Sequence, residues 1–440
     1  MILTFGTYDA GRHPRVAILA DGLRAHGADV AELNRPLGFS TAERVRMLQQ
    51  PWRLPLLVVR LLACWAGLTA GAARFRRAHG RPAAVLVGYL GHFDVVLARV
   101  LFPRSVVVLD HLIFAGDTAS DRGAAGLRVR LLNGLDRLAI ACADVVVTDT
   151  DEHREMLPAA ARRKGVTALV GAPATWFEVN SADPAHTPPS PTRFGGRPRA
   201  LRASPEWGQR KPRADQPNLV VDGAAAGGGP GSVGAGRLSV VFFGLYTPLQ
   251  GAPVIAEGIR AAIGQGARFD VTMIGSGQEL DTTREILGDM PGVTWHDWVE
   301  PGDLPAIVGA HDVCLGIFSD TPKGLRVVPN KVYQGLAAGC VVVTSDTPPQ
   351  RRAVGDVTEL VPPADADALA KKLTELTDPD RLAEARARAA SGRDRIRPGA
   401  VVEPLADVLD TRCPAALRGR SANGSGGNGI ASGRGQGGAA

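Results

Sequence analysis

Lys331 sits in the first turn of a short helix, where the positive end of the helix dipole disfavours a cation by a few tenths of a kcal/mol. The surrounding stretch, KGLRVVPNKVYQGLAAGCVVVTSD over 323–346, reads as a loop, a helix and a buried strand. Asn330 is a plausible N-cap, Lys331 to Ala338 make about two turns, and Gly339 suits a left-handed stop. A cation held against the dipole makes sense where an anion binds, because the free N–H groups of a helix start are a ready phosphate site. Two glycine turns point to the same chemistry. FFGLYTPLQG (242–251) contains Gly244, Gln250 and Gly251, and IGSGQEL (274–280) contains Gly275 and Gly277. Glycine at such turns lets backbone amides approach a ligand, although a turn can also simply reverse the chain. The plain alternative for Lys331 is a solvated head whose stem covers apolar surface. Three candidate anion sites following strands of one sheet favour a diphosphate ligand.

A second set of candidates lies in the first third of the chain. GTYDAGRHPR (6–15) follows a strand-like start and carries Gly6, Tyr8, Asp9, His13 and Arg15. Gly6 and Gly11 permit a tight loop, and Pro14 fits the first helical position. The spacing is not G-x-G-x-x-G, so a nicotinamide cofactor has little support. GYLGHFD (88–94) presents His92, and DHLIFAGDTASDR (110–122) presents Asp110 and His111, with Asp117, Asp121 and Arg122 close behind. Asp117 and Asp121 can equally serve as caps for a helix near Arg122. Asp110 and His111 have the better claim to catalysis, because they fall directly after a strand.

These residues need strands to place them. In the first half 2–5, 29–33, 84–88, 105–110 and 144–149 read as strands; in the second half 238–244, 270–275, 293–295, 312–318, 340–344 and 358–361 do. Helices such as 253–263 and 366–376 lie between them. Apolar strands alternating with helices predict an α/β chain with two Rossmann-like domains, each a parallel sheet covered on both faces. Ligands of such sheets bind beyond the carboxyl ends of the strands, so a cleft between two facing domains is where the chemistry belongs.

Composition divides the chain. At 440 residues, 45% of them hydrophobic, it holds two or three domains. Asn180 to Gly236 is rich in Pro, Arg, Gly and Ala, and 418–440 is a Gly-rich tail. The expected units are an N-terminal domain (1–176), a linker or insertion (177–236), a C-terminal domain (237–412) and a disordered tail (413–440). The five cysteines lack metal-ligand spacing and read as reduced core residues of a cytoplasmic protein. Met1 leads straight into a strand, which argues against a signal peptide. The net charge of +6 permits contact with anionic surfaces. No aromatic residues interleave with the tail arginines, so nucleic acid is not an expected partner. Residues 44–81 join an apolar stretch to flanking arginines, suiting either an interfacial helix on anionic lipid or a core helix with solvated ends. The longest uncharged run there, Leu61 to Ala73, is too short to span a bilayer.

With these motifs in place, the sequence resembles GT-B glycosyltransferases of family 4, in a sub-branch with a Pro329-Asn330-Lys331 motif. The resemblance covers both halves and is most specific over 312–346. GLYTPLQG (244–251) is similar to the family's phosphate loop, 296–316 to the region lining its nucleobase pocket, where Trp298 lies, and 143–153 to the last strand of its acceptor domain. It implies transfer of a sugar, with retention at the anomeric carbon, from a nucleotide diphosphate donor to a glycan or lipid-linked acceptor in envelope polysaccharide or glycolipid synthesis. It implies no cofactor and no essential metal, and places the protein on the cytoplasmic membrane face. Gly244, Gln250, Gly251, Gly275, Gly277, Trp298, Lys323, Arg326, Asn330, Lys331 and Gln334 are then the donor side. His111 and Asp110 are the catalytic pair facing the donor sugar, with Gly6, Tyr8, Asp9, His13, Arg15 and His92 toward the acceptor. Two departures stand out. Where the family has glutamates eight positions apart, this chain has Arg326 and Gln334. Gln334 can still bond ribose hydroxyls; Arg326 cannot accept a hydrogen bond at all. A sugar-nucleotide epimerase on the same fold, or a non-catalytic GT-B scaffold, are the alternative expectations.

Overall fold

The structure, a computed structural model, describes residues 1–9, 14–39, 54–121, 126–179 and 237–417. His13, the arginines at 44, 46 and 53, most of the linker and the tail beyond 417 lie outside these residues.

Two six-stranded sheets, parallel at every described pairing, form the frame. The first runs β2-β1-β3-β4-β5-β6, from β1 (Ile2–Gly6), β2 (Val30–Asn34), β3 (Ala84–Val87), β4 (Val106–Asp110), β5 (Val145–Thr148) and β6 (Gly165–Thr167). The second runs β12-β11-β10-β7-β8-β9, from β7 (Leu238–Leu245), β8 (Phe269–Ser276), β9 (Val293–His296), β10 (Val313–Leu315), β11 (Val341–Ser345) and β12 (Glu359–Val361). The valine-rich runs AVLV, VVVT and VVVTS are buried at every position, as strands covered on both faces must be. Alternation sends Ile2, Leu86, Val108 and Val147 to one face of the first sheet, and Leu3, Phe5, Val87 and Leu109 to the other. The second sheet divides likewise, with Phe242, Met273, Leu315 and Val343 opposite Phe243, Ile274, Cys314 and Val342.

The expected strands are all present, and β6 is an addition. Its three residues, Gly-Val-Thr, are too few to show a period, and pairing with β5 creates it. The domain boundaries need correction in three places. Val170, Ala172, Trp176 and Phe177 already pack into the second domain's core, where Trp176 stacks on Phe243 with centroids 5.8 Å apart. Residues to 179 are therefore part of the fold, not of a linker. The helix Pro398–Arg412, assigned to the second domain from its place in the sequence, returns to the first. Its Val401, Val402, Leu405, Ala406 and Leu409 fill the same cluster as Ile2, Ile18, Leu19 and Leu23, the last three from α1 (Arg15–Ala25). Ala416 and Leu417, placed in the tail, are buried in that cluster too. An amphipathic helix buries its apolar stripe wherever a complementary face exists, and sequence order does not decide which face that is.

The apolar 44–81 region contributes α2, Leu54–His79. By length and composition the stretch Pro55–His79 is long enough to cross a membrane; its 18-residue window has mean hydropathy 1.8, and 22% of that window is buried. Leu68 and Ala72 belong to the first domain's core, so this half lies along the domain. Arg60 donates to the Leu37 carbonyl at 3.2 Å. The preceding half leaves Leu56, Val58, Val59 and Leu62 exposed.

Candidate functional site

The second sheet reverses its strand order between β7 and β10, which places a crevice beyond the ends of those strands. The loop after β7 lines it. Gly244 (φ +130°) and Gly275 (φ +123°) end neighbouring strands in register, and a Cβ on Gly275 would lie 1.9 Å from the Gly244 carbonyl oxygen. Only glycine permits that approach. Gly251 is left-handed (φ +67°) and opens α7, Ala252–Gly264. The Gln250 carbonyl accepts from Phe318 N–H at 3.1 Å, joining this loop to the one after β10.

Lys331 enters from the opposite wall. Pro329 occupies the N-cap position in place of the expected Asn330, and α10 spans Asn330–Ala337 with an exposed Asn330 at its start. Helical phase turns Lys331 inward, so its side chain is 5% exposed, contrary to a solvated head. Its Nζ lies 3.7 Å from the Phe242 ring centroid and 3.4 Å from where a Cβ on Gly244 would stand. It has no hydrogen-bond partner among the described residues. Burial pushes its pKa down from 10.5 to about 7. An ammonium buried without a counter-charge is costly, and this one points at the glycine loop. Phe242 under the cation was not marked as functional, because nothing in the sequence pairs a strand aromatic with so distant a lysine. Gln250 Oε1 and Glu279 Oε2 are also buried without hydrogen-bond partners among the described residues, and Gln334 is half-buried on α10. Gly277, at φ +156°, is exposed. Trp298 is 68% exposed in the segment after β9.

Arg326 and Lys323 reach across to the first domain. Arg326 donates to the Asp117 carboxylate at 3.2 Å and approaches Met156 Sδ at 3.0 Å, while its carbonyl accepts from Thr150 Oγ1 at 3.0 Å. Lys323 donates to Thr118 Oγ1 at 3.1 Å, and Arg352 to Glu152 at 2.6 Å. Asp117, read as a helix cap, is thus an interdomain partner on α4, Ala115–Asp121. Arg326 belongs to the domain contact.

On the first domain several candidates are engaged internally. Asp110 is 2% exposed and accepts from buried Arg15 Nε at 3.3 Å; Arg15 also donates to the carbonyls of Ala168 and Leu169. That bond set pins α1 to the strand ends, so the two residues hold structure and do not open onto the cleft. Burial raises the Asp110 pKa and the Arg15 guanidinium opposes the rise. Tyr8 is buried and donates to Glu32 at 2.8 Å. Gly6 (φ +150°) starts the loop after β1, where Thr7 donates twice to Asp94. Asp9 is half-buried beside it. His111 is 1% exposed, with His92 (centroids 5.1 Å apart) and Phe114 (4.5 Å) packed edge-on against it. Burial, and then His92, push its pKa well below the ordinary range, so the ring is neutral at pH 7. His92 bonds Asp136 at 2.9 Å on α5, Leu127–Cys142, a residue with no sequence signal because it lies in an ordinary leucine–arginine helix.

Known proteins with similar features fit this arrangement. Residues 237–378 match the family described as glycosyl transferases group 1. A phosphatidyl-myo-inositol mannosyltransferase of Mycolicibacterium smegmatis is 29% identical over 149 residues, 33% of this chain and 37% of that protein. The chain therefore matches little more than a third of that relative's length. Among solved structures, sucrose-phosphate synthase from Thermosynechococcus elongatus superposes with TM-score 0.56 at 14% identity, covering 94% of this chain and 99% of that one. Anabaena HepE in complex with UDP-glucose gives 0.53 at 13%, covering 93% and 99%. At such identities the likeness shows the fold alone. Two facing Rossmann-like domains in the GT-B architecture make up the fold, and residues 237–378, in the second of them, are similar to glycosyl transferases group 1.

Proposed function

We propose that this chain is a retaining glycosyltransferase that moves a sugar from a nucleotide diphosphate to a glycan or lipid-linked acceptor, in envelope polysaccharide or glycolipid synthesis on the cytoplasmic face of the membrane. The observation that carries the reading is Lys331, a buried ammonium without a hydrogen-bond partner among the described residues, aimed at the glycine-lined switch point. A diphosphate placed there restores its counter-charge. The N–H groups of the loop 244–251 and the start of α10 add preorganised donors. The bond between the anomeric carbon and the diphosphate oxygen breaks with its electron pair going to that oxygen. Lys331 and these donors stabilise the charge, and the acceptor hydroxyl bonds to the same carbon as its proton passes to the departing diphosphate oxygen. The captured UDP-glucose of Anabaena HepE supports a nucleotide sugar as the donor class. The exposed apolar start of α2 (Leu56, Val58, Val59, Leu62) supports a membrane-surface acceptor. One observation favours a second reading, a non-catalytic GT-B partner: Arg326 occupies the glutamate position and is bound to Asp117.

Release of nucleoside diphosphate from a panel of nucleotide sugars, with and without membrane lipid extract, tests the assignment. Wild-type protein should release one nucleoside diphosphate selectively, with extract accelerating it and Lys331→Met suppressing it. Binding without release under any condition would transfer the assignment to the non-catalytic reading.

A further inference from the structure

We propose that His92, His111 and Asp136 form a binding site for a divalent first-row metal ion, zinc foremost, that staples three elements of the first domain. His92 lies between β3 and α3 (Asp94–Leu101), His111 directly follows β4, and Asp136 sits within α5. Their ligand atoms all lie within 4.8 Å of one another. His92 Nε2 is 2.9 Å and His111 Nε2 3.9 Å from Asp136 Oδ1. Tetrahedral zinc, with bonds of about 2.0–2.2 Å, holds its donor atoms roughly 3.4 Å apart, so small side-chain rotations convert this triangle into a ligand set. Two imidazoles and a carboxylate are a donor set that zinc accepts with a fourth position left open.

His111 is the observation that points to a ligand. Both its ring nitrogens lack a hydrogen-bond partner among the described residues, and the residue is 1% exposed. A neutral imidazole always carries one donor and one acceptor, and leaving either unmet in the interior costs about 1–3 kcal/mol. The carboxylates nearby do not remove this cost. Asp136 Oδ1 is too far for a hydrogen bond, Asp110 binds Arg15 through Oδ1 while its Oδ2 makes no hydrogen bond among the described residues, and Asp149 is taken by His153 at 2.5 Å. A metal ion uses one nitrogen of His111 and the carboxylate of Asp136 together. The Asp136 carboxylate is already oriented, because the backbone N–H groups of Ala115 and Gly116 donate to it at 3.1 Å each. Donors of this kind fix a ligand's direction in built metal sites. The three ligands come from three separate elements, so they show no metal-ligand spacing along the chain. The same backbone groups begin α4, whose Asp117 and Thr118 meet Arg326 and Lys323, so the ion would fix the segment through which the domains touch.

The test is metal analysis of tag-free protein, with thermal unfolding before and after chelation and on adding zinc ion alone. Close to one ion per chain, lost on chelation with a fall in Tm that zinc restores, is the expected result. His111→Gln and His92→Gln should each weaken zinc binding by more than about tenfold. His153→Gln, which changes the adjacent histidine outside the set, should bind as wild type. Tetrahedral cobalt absorption should appear in wild type and in His153→Gln. Absence of both stoichiometric metal and a Tm response to zinc in wild-type protein would overturn the site. So would wild-type zinc affinity in a folded His111→Gln or His92→Gln. If one of these variants fails to fold, the other decides.

Discussion

Replacing Lys331 by methionine keeps an apolar stem over Phe242 and removes the buried charge. The fall in the lysine's pKa from 10.5 to about 7 is equivalent to roughly 5 kcal/mol, at about 1.4 kcal/mol per tenfold change in proton affinity. That figure is an upper bound on the cost of the charged amine, since the face of Phe242 beneath the cation offsets up to about 2 kcal/mol of it and narrows the pKa shift in step. The sign follows from linkage. Between about pH 7 and 10.5 the unfolded lysine holds a proton that the folded one releases, so this residue's contribution to stability rises with pH in that window. Below about pH 7 the full cost is present. Lys331→Met should therefore be more stable than wild type by up to about 3 kcal/mol at pH 6, with a smaller gap at pH 9. Nucleotide binding should move the opposite way. Losing a charge-assisted contact of about 1.5–3 kcal/mol weakens nucleoside diphosphate affinity by roughly tenfold to a hundredfold. Urea unfolding at the two pH values, paired with calorimetry on UDP and GDP, measures both effects. Equal stability of the two proteins at pH 6 would refute the burial argument, and unchanged affinity for the diphosphate that wild type prefers would refute the phosphate role.

Gly275→Ala should cost more than about 3 kcal/mol, because a Cβ there meets the Gly244 carbonyl at 1.9 Å in a strained φ; urea unfolding reads it. Leu405→Ala, emptying a fully buried position shared by α14 (Pro398–Arg412) and the first sheet, should cost about 2–5 kcal/mol; a loss under 1 kcal/mol would mean the helix does not hold the first domain. Arg326→Ala removes a bridge whose side chains are about a quarter exposed, so stability should fall by less than about 1 kcal/mol while small-angle scattering records a larger, more salt-tolerant mean domain separation; an unchanged profile would count against the bridge as a latch. Leu56→Ser combined with Val59→Ser should abolish flotation with anionic liposomes while leaving the fold intact; flotation equal to wild type would exclude this face as the lipid contact.

The frame was open to sequence reasoning where local signals were strong. Runs such as Val341-Val342-Val343 can only be strands covered on both faces, and glycine turns directly after such strands mark the ligand edge. The direction of single side chains was not open in the same way. Lys331 could be a solvated head or an inward cation, and only the turn of α10 against β10 decides between them. Asp110 falls at a strand end in sequence, yet Arg15 from α1 claims it. Arg326 falls on the donor side by its place in the sequence, yet its partners, Asp117 and Met156, come from the other domain. The return of Pro398–Arg412 to the first domain follows from which apolar stripe fits which face, a matter of three-dimensional packing that a single sequence does not encode locally. Asp136 had no signal because its meaning depends on two histidines from other elements.

The central claim is that the crevice around Lys331 binds a nucleotide diphosphate sugar. A thermal-shift screen against UDP-, GDP- and dTDP-sugars tests it most directly, since a ligand at a hundred times its Kd stabilises by about 2.7 kcal/mol. The account predicts a shift selective for one base, larger with the sugar attached than with the diphosphate alone, and lost in Lys331→Met. A wild-type protein that unfolds cooperatively with no shift for any of these ligands would contradict it.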